Sequence, residues 1–300
     1  MILQHQVTEQ EGGVALLHIL RRSMGLSGAI VRGLKRSGGL EVDGVLRFTN
    51  YLVSPGEIVT AHVSRAEKQE SDNLPESGPV EILFEDEGLI AVNKPAGLIV
   101  HPTHSRNHGT LSNFVAGYLL ETTHSPICHI VNRLDRDTSG VVLFAKNAYM
   151  KTRASAALSL GEKRYFAICL GTLCPPDGVI DLPIRRVRER DMLRIVAPDG
   201  RRAVTHYRTV HQGQMDGQTY SVLDITLETG RTHQIRVHCL ANGAPLLGDQ
   251  LYFSEESRAF SEKHGLTRQL LHSRRLTFIH PLSGETLVIN APISGAQFFT

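Results

Sequence analysis

Apolar positions along this chain follow two periods. Near the start they recur every three to four residues. Positions 14–24 place Leu16, Leu17 and Leu20 on one helical face, and Gly25 ends the run. Ser27 suits the N-cap of a second helix running to about Arg36, stopped by Gly38-Gly39. LEVDG, the segment 45–50 and YLVSPGEIVTAHV then read as short strands. The expected order is helix, turn, helix and hairpin, with Arg32, Lys35 and Arg36 on the second helix.

From residue 80 onward strands dominate. VEILFEDEGLIAVNKPAGLIVHP holds two short apolar strands, an Asp-Glu-Gly turn and a Lys-Pro break. Helices are expected near 111–120 and 148–160, with the strand GVVLFAK between them. KRYFAICLGTL, an arginine-rich hairpin, AVTHYRTV and TYSVLDITLE follow as strands. Strands outnumber helices and hairpin turns recur. The expected class is α+β with a mostly antiparallel mixed sheet. Neither GxGxxG nor GxxxxGK[ST] occurs, so nucleotide-cofactor loops are unsupported.

The length of 300 residues, 41% of them hydrophobic and 21% charged, describes a folded chain of one large domain or two. The polar, acidic stretch RAEKQESDNLPESGP reads as a linker. We therefore expect a module at 1–65, a linker at 66–79 and a larger unit at 80–300. The longest apolar run is six residues, 165–170, whereas a membrane-spanning helix needs about 20, so no membrane partner is expected. The N-terminus lacks the pattern of a secretory signal. Cys128, Cys169, Cys174 and Cys239 form no CxxC pair, which argues against a disulfide framework or zinc ribbon and fits a cytoplasmic location. No apolar interface stripe stands out, so a monomer is expected.

The net charge of +2 predicts no partner by itself. Its distribution says more. Between 185 and 202 lie Arg185, Arg186, Arg188, Arg190, Arg194, Arg201 and Arg202, against Glu189, Asp191 and Asp199. Such a cluster suits a polyanion; the alternative is a solvated hairpin edge.

Three segments could carry chemistry. In VNRLDRDTSGVVLF, Asp135 and Asp137 alternate with Arg133 and Arg136 just ahead of an apolar strand. Opposite charge favours an ionised carboxylate, which on a rigid loop can act as nucleophile or base. The same residues could instead form a plain turn with surface ion pairs. In LETGRTHQIRVHCLANG, Thr232 can cap a helix that ends at Asn242-Gly243. Arg231 precedes that helix, and His233, Gln234 and Arg236 occupy its first turns, an arrangement suited to phosphate or carboxylate. A helix paired within the core is the competing reading. In EKRYFAICLG, Tyr165 could be a core tyrosine, a stacking platform or a proton acceptor. His101, His104 and His108 are too loosely spaced for a convincing zinc site. Asp135 with Asp137 is a poor glycosidase pair, because residues two apart in a loop seldom straddle a sugar.

In matching order over about 80–290, these segments resemble the RluA/RluD-type, or large-subunit, RNA pseudouridine synthase family. The family signature is close to HRLDRDTSG, and this chain reads NRLDRDTSG at 132–140. The opening strand pair, KRYFAI, GRTHQIRVH and GDQLY are similar to its other motifs. Residues 14–65 resemble the αL RNA-binding module of ribosomal protein S-four, although Ser27-Gly28-Ala29 departs from the usual Ser-Arg.

The resemblance implies isomerisation of specific uridines in RNA to pseudouridine, with no cofactor and no metal. Large-subunit ribosomal RNA is the favoured partner and transfer RNA the alternative. Asp135 matches the essential aspartate. Tyr165 matches the tyrosine that packs on the target base and is implicated in proton removal from its carbon 5. Arg231 matches the arginine that pairs with the aspartate. Asn132 replaces the usual His, from which altered loop or RNA contacts are expected. Arg133, Arg136, His233, Gln234, Arg236, Arg32, Lys35, Arg36, Arg185 and Arg186 are the expected RNA contacts. The competing readings are a non-catalytic RNA-binding or ribosome-assembly protein, and a glycoside or nucleoside hydrolase using Asp135 and Asp137.

Overall fold

The computed structural model describes residues 1–65, 74–102, 107–189 and 191–293. Residues 66–73 of the expected linker, His104 and Arg190 lie outside the described residues.

Strand β1 (Leu3–Gln6) opens the chain. A single helical turn, α1 (Leu16–His18), widens into a π turn over Ile19–Ser23. The wider turn alters which side chains face inward. Leu16, Ile19 and Leu20 are buried, whereas Leu17, expected on the inner face, is 45% exposed. Ser27 caps α2 (Gly28–Ser37), accepting from the Ile30 amide at 3.3 Å. Gly38 closes the helix in the left-handed conformation, at φ 64°. β2 (Leu40–Val42), β3 (Val45–Leu46) and β4 (Ile58–Ala61) complete an antiparallel sheet of order β1-β4-β2-β3.

A ten-stranded sheet forms the rest of the frame. It begins with the hairpin β5 (Ile82–Glu85) and β6 (Leu89–Lys94). Helix α3 (Leu111–Thr123) leads to β7 (His129–Ile130) and β8 (Ser139–Ala145). Helix α4 (Ala148–Leu160) precedes β9 (Glu162–Leu170) and β10 (Asp177–Asp181). β11 (Ile184–Arg186) and β12 (Arg194–Val196) make the arginine-rich hairpin as a separate two-stranded sheet. β13 (Val204–Met215) and β14 (Gln218–Leu227) form a long hairpin. Helices α5 (Gln234–Ala241) and α6 (Glu255–Lys263) precede β15 (Leu271–Ile279) and β16 (Thr286–Asn290). The main path runs β10-β13-β14-β9-β15-β8-β6-β5, and every pairing is antiparallel except β15 with β8. The expected α+β class with a mostly antiparallel mixed sheet is the one observed.

Strand alternation sorts side chains into separate cores. On β8, Val141, Leu143 and Ala145 point to one face, where Met150 and Leu158 of α4 cover them. Val142 and Phe144 point to the other, covered by Val115 and Leu119 of α3. Strand β9 divides likewise: Tyr165, Ala167 and Cys169 face Ile235 and Cys239 of α5, while Ile168 and Leu170 face Phe260 of α6. Both faces of the sheet are therefore covered, which accounts for the near-continuous apolar runs. The N-terminal apolar residues Val7, Leu16, Ile19 and Leu20 belong to the same cluster as the α4 face. The Met1 amino group also meets Glu87 at 3.3 Å.

The parallel junction fixes the middle of the sheet. Ser273 of β15 pairs with Gly140 of β8 on one side and Tyr165 of β9 on the other. Gly140 has φ 111°, and a Cβ there would lie 2.1 Å from the Ser273 carbonyl oxygen. Gly140→Ala should therefore force β8 and β15 apart, lowering the unfolding free energy by about 2 kcal/mol or more. A urea titration of the variant reads this directly; an unchanged midpoint would show that the junction tolerates separation.

Candidate active site

The loop ahead of β8 is held from four sides. Asn132 acts like a short strand neighbour: its Nδ2 donates to the Val141 carbonyl at 3.2 Å, and its Oδ1 accepts from the Leu143 amide at 2.7 Å. Its amide is thus committed to β8, whereas altered loop or RNA contacts were expected. The Thr138 hydroxyl accepts from Gln269 Nε2 at 3.2 Å, and the Thr138 amide closes a turn onto the Asp135 carbonyl at 3.2 Å. Lys94 grips the centre. Its ammonium donates to the carbonyls of Pro95, Leu98 and Arg136 at 2.8, 2.8 and 2.7 Å, and the side chain is fully buried. Burial pulls its pKa down to about 7, against the opposing pull of Asp137 and Asp135.

The fourth hold is on Asp135 itself. Arg236, in the first turn of α5, donates through Nη1 to Asp135 Oδ2 at 3.0 Å. The same guanidinium makes a bidentate pair with Asp249, Nε to Oδ2 at 2.7 Å and Nη2 to Oδ1 at 2.8 Å. The Asp249 side chain is entirely buried, and its Oδ1 also accepts from the amides of Leu251 and Tyr252 at 2.9 and 3.0 Å. Burial works against the Arg236 charge, but the two aspartates outweigh it and raise its pKa.

This corrects the expectation for Arg231. Its Nε donates to the Arg202 carbonyl at 2.9 Å, and it lines the cleft without bonding Asp135. The cause is local. Residues 229–234 form a loop locked by Gln234, whose Oε1 accepts from Thr229 Oγ1 and the Arg231 amide, both at 2.9 Å. Gln234 Nε2 donates to the Val204 carbonyl and Thr205 Oγ1 at 2.9 and 3.0 Å, so this buried amide is used internally rather than offered to a ligand. The helix starts one residue later than expected: His233, not Thr232, is the N-cap, in the left-handed region at φ 59°. Arg231 therefore precedes the helix, and Arg236 takes the inward position.

An open cleft lies above these groups, lined by Arg133, Asp135, Tyr165, Arg231 and His233 among others. Tyr165 is buried, and its phenol is pushed up to about 12, first by burial and then by the Asp135 charge. Among the described residues, Asp135 Oδ1 accepts no hydrogen bond; His233 Nε2 stands 3.8 Å from it.

The other expected contacts distribute elsewhere. Arg136 is paired with Asp137, Nη2 to Oδ2 at 2.8 Å, so Asp137 is not a second free carboxylate beside Asp135. Arg32, Lys35 and Arg36 are exposed on α2 and away from the cleft lining. Arg185 is turned back onto its own hairpin, bonding Asp199 at 2.9 Å and the Arg186 carbonyl at 2.9 Å; Arg186 bonds the Glu189 carbonyl. Among the described residues no group of three or more His, Cys, Asp or Glu is placed to hold a metal, and no helix is long and apolar enough to cross a membrane. Lys94, Asp249 and Tyr252 are the working residues that sequence reasoning missed. The Lys-Pro break and the GDQLY motif were visible, but as punctuation and resemblance only.

Comparison with known proteins identifies the family. The profile of the RNA pseudouridylate synthase family matches residues 88–241. An RNA pseudouridine synthase of Bacillus subtilis, YhcT, is 33% identical over 97% of this chain and 93% of its own length. Ribosomal large subunit pseudouridine synthase D of Nitrosomonas europaea is 36% identical over 85% of this chain and 73% of its own. The solved human RNA pseudouridylate synthase domain containing 1 shares the fold, with a TM-score of 0.57 at 23% identity over 73% of this chain and 86% of that one. The chain belongs to the RNA pseudouridylate synthase family. It is an isomerase acting on RNA.

The Tyr165 environment sets a pH dependence. In the unfolded chain the phenol ionises near 10, and in the fold near about 12. Between these values the unfolded chain gives up its proton first, so the contribution is complete below pH 10 and is lost as pH rises through 12. The stability of the wild type relative to Tyr165→Phe should therefore fall between pH 10 and 12, as read by urea unfolding. A constant difference would show that the phenol is not buried as described.

Proposed function

We propose that this enzyme converts uridines of large-subunit ribosomal RNA to pseudouridine, with Asp135 as the catalytic carboxylate. The observation that carries the reading is the asymmetry of that carboxylate. Arg236 holds Oδ2, while among the described residues Oδ1 accepts no hydrogen bond at a cleft that Tyr165 also lines. Support for the RNA class comes from relatives named for the large ribosomal subunit.

The reaction breaks the bond from ribose C1′ to uracil N1 and forms one from C1′ to C5. Asp135 Oδ1 either bonds to C1′ as N1 leaves, or takes the proton from C2′. The detached uracil then turns within the cleft. C5 bonds to C1′ as the Asp135–C1′ bond breaks or, on the second route, as Asp135 returns the proton to C2′; the C5 proton is then lost, and N1 ends protonated. Nothing is oxidised or reduced overall, so the balance needs no redox cofactor. The Tyr165 phenol is neutral at ordinary pH, which suits it to packing against the base before any proton moves. The walls of the cleft hold the loose base near C1′ and limit its contact with water.

A uridine within folded RNA must be turned out of its stack to reach this floor, at a cost of a few kcal/mol. Phosphate contacts offset that cost. The exposed cations of α2 in the module at 1–65, and the β11–β12 hairpin, supply the cationic surface.

RNA labelled with tritium at uracil C5, from cells lacking this gene, gives the direct test. The wild type should release tritium to water without releasing uracil. Asp135→Asn should lower that rate on the order of 10³-fold or more while RNA binding stays within a few-fold. Label released from transfer RNA alone would overturn the substrate, and full activity of Asp135→Asn would overturn the catalytic assignment.

A further inference from the structure

His233 is an unexplained residue of this site. Its backbone is left-handed, at φ 59° and ψ 19°, a conformation costly to most side chains although better tolerated by His. Its side chain is only 8% exposed and lies between Asp135 and Tyr252. His233 Nδ1 is 2.8 Å from Tyr252 Oη, and Nε2 is 3.8 Å from Asp135 Oδ1. The rings of His233 and Tyr252 meet edge-on, 5.5 Å apart at 72°.

The hydrogen-bond inventory fixes the imidazole proton. Tyr252 Oη accepts from the backbone N–H of Arg194, on β12, at 2.8 Å. An N–H cannot accept, so among the described residues the phenol's own proton has one acceptor, His233 Nδ1. The neutral ring then carries its proton on Nε2, the nitrogen directed at Asp135. The charged and titratable groups around it are Asp135, Arg236, Arg194, Asp249 and Tyr252. Burial is the leading cause that lowers the His233 pKa, with Arg236 and Arg194 assisting against the two aspartates, so the ring stays neutral.

We propose that His233 is a positioning residue for Asp135: Tyr252 fixes its proton on Nε2, and that N–H steers the carboxylate oxygen that Arg236 leaves free. The inference rests on Asp135 being the catalytic carboxylate. Arg236 and His233 then address the two oxygens from different directions. A small rotation of Asp135 brings Oδ1 from 3.8 Å into hydrogen-bond range. A neutral donor does this without adding a second full positive charge beside the reacting oxygen. Through Arg194, the orientation of His233 is also tied to the arginine-rich hairpin.

The test uses the full-length enzyme and C5-tritiated RNA from cells lacking the gene. His233→Phe keeps a ring against Tyr252 and removes the donor. It should lower kcat roughly 10- to 100-fold with KM changed less than about threefold. His233→Gln can place an N–H near the lost Nε2 and should regain at least about tenfold of that rate. Tyr252→Phe, which keeps the ring beside Arg236, should also lower kcat, and the double variant His233→Phe with Tyr252→Phe should be no slower than His233→Phe alone. Should His233→Phe fail to fold, Tyr252→Phe and His233→Gln carry the same comparison. Unchanged kcat in His233→Phe or Tyr252→Phe, a loss confined to KM, or no advantage of Gln over Phe would overturn the inference. Asp135→Asn, assayed alongside, separates the two claims: activity there overturns the catalytic reading, whereas an inactive Asp135→Asn beside a fully active His233→Phe overturns only the role of His233.

Discussion

A guanidinium cannot be buried alone, and the site depends on how Arg236 meets that constraint. Asp249 takes two of its donors in a fully buried bidentate pair, and Asp135 takes a third at the floor of the cleft. Removing one partner of such a pair typically costs about 3–5 kcal/mol, because the remaining charge is stranded. The arrangement therefore joins three segments distant in sequence: the loop before β8, the first turn of α5 and the turn at 249–252. Lys94 repeats the device with carbonyls in place of carboxylates. Two buried cations thus hold one short loop, and the carboxylate between them has little freedom to turn away.

The sheet brings these segments together. Ser273 stands in register with both Gly140 and Tyr165, so a single residue of β15 sets the spacing between the aspartate loop and the tyrosine strand. Among the described strands the parallel pairing at that point is the one departure from an antiparallel sheet, and it requires Gly140. Burial on both faces keeps the frame rigid, while Asp135 sits on a loop ahead of β8. Rigid support under a functional loop is what a reaction with a detached intermediate needs.

Much of this was legible in the chain. The apolar run GVVLFAK marked a strand, Ser27 and Gly38 marked the ends of α2, and NRLDRDTSG drew attention to the loop that carries Asp135. Other features were hidden for physical reasons. Arg231 and Arg236 differ by five residues, and which one turns inward is decided by the start of α5, which Gln234 delays. Thr232 looked like a cap, but its neighbour His233 adopts the left-handed conformation instead. Leu17 looked buried because a regular helix was assumed where a π turn occurs. Lys94 read as a break beside proline, because nothing local announces that three carbonyls from two segments converge on it. Arg185 and Arg186 read as free cations, yet their guanidinium groups close their own hairpin.

The most direct measurement compares single-turnover pseudouridine formation by Arg236→Lys and Arg231→Lys. A lysine cannot hold Asp135 and make the bidentate pair with Asp249 at once. The account predicts that Arg236→Lys loses the chemical step on the order of 10²-fold or more at saturating RNA, whereas Arg231→Lys stays within about tenfold. The reverse order would contradict it, and would return the partnership with Asp135 to Arg231.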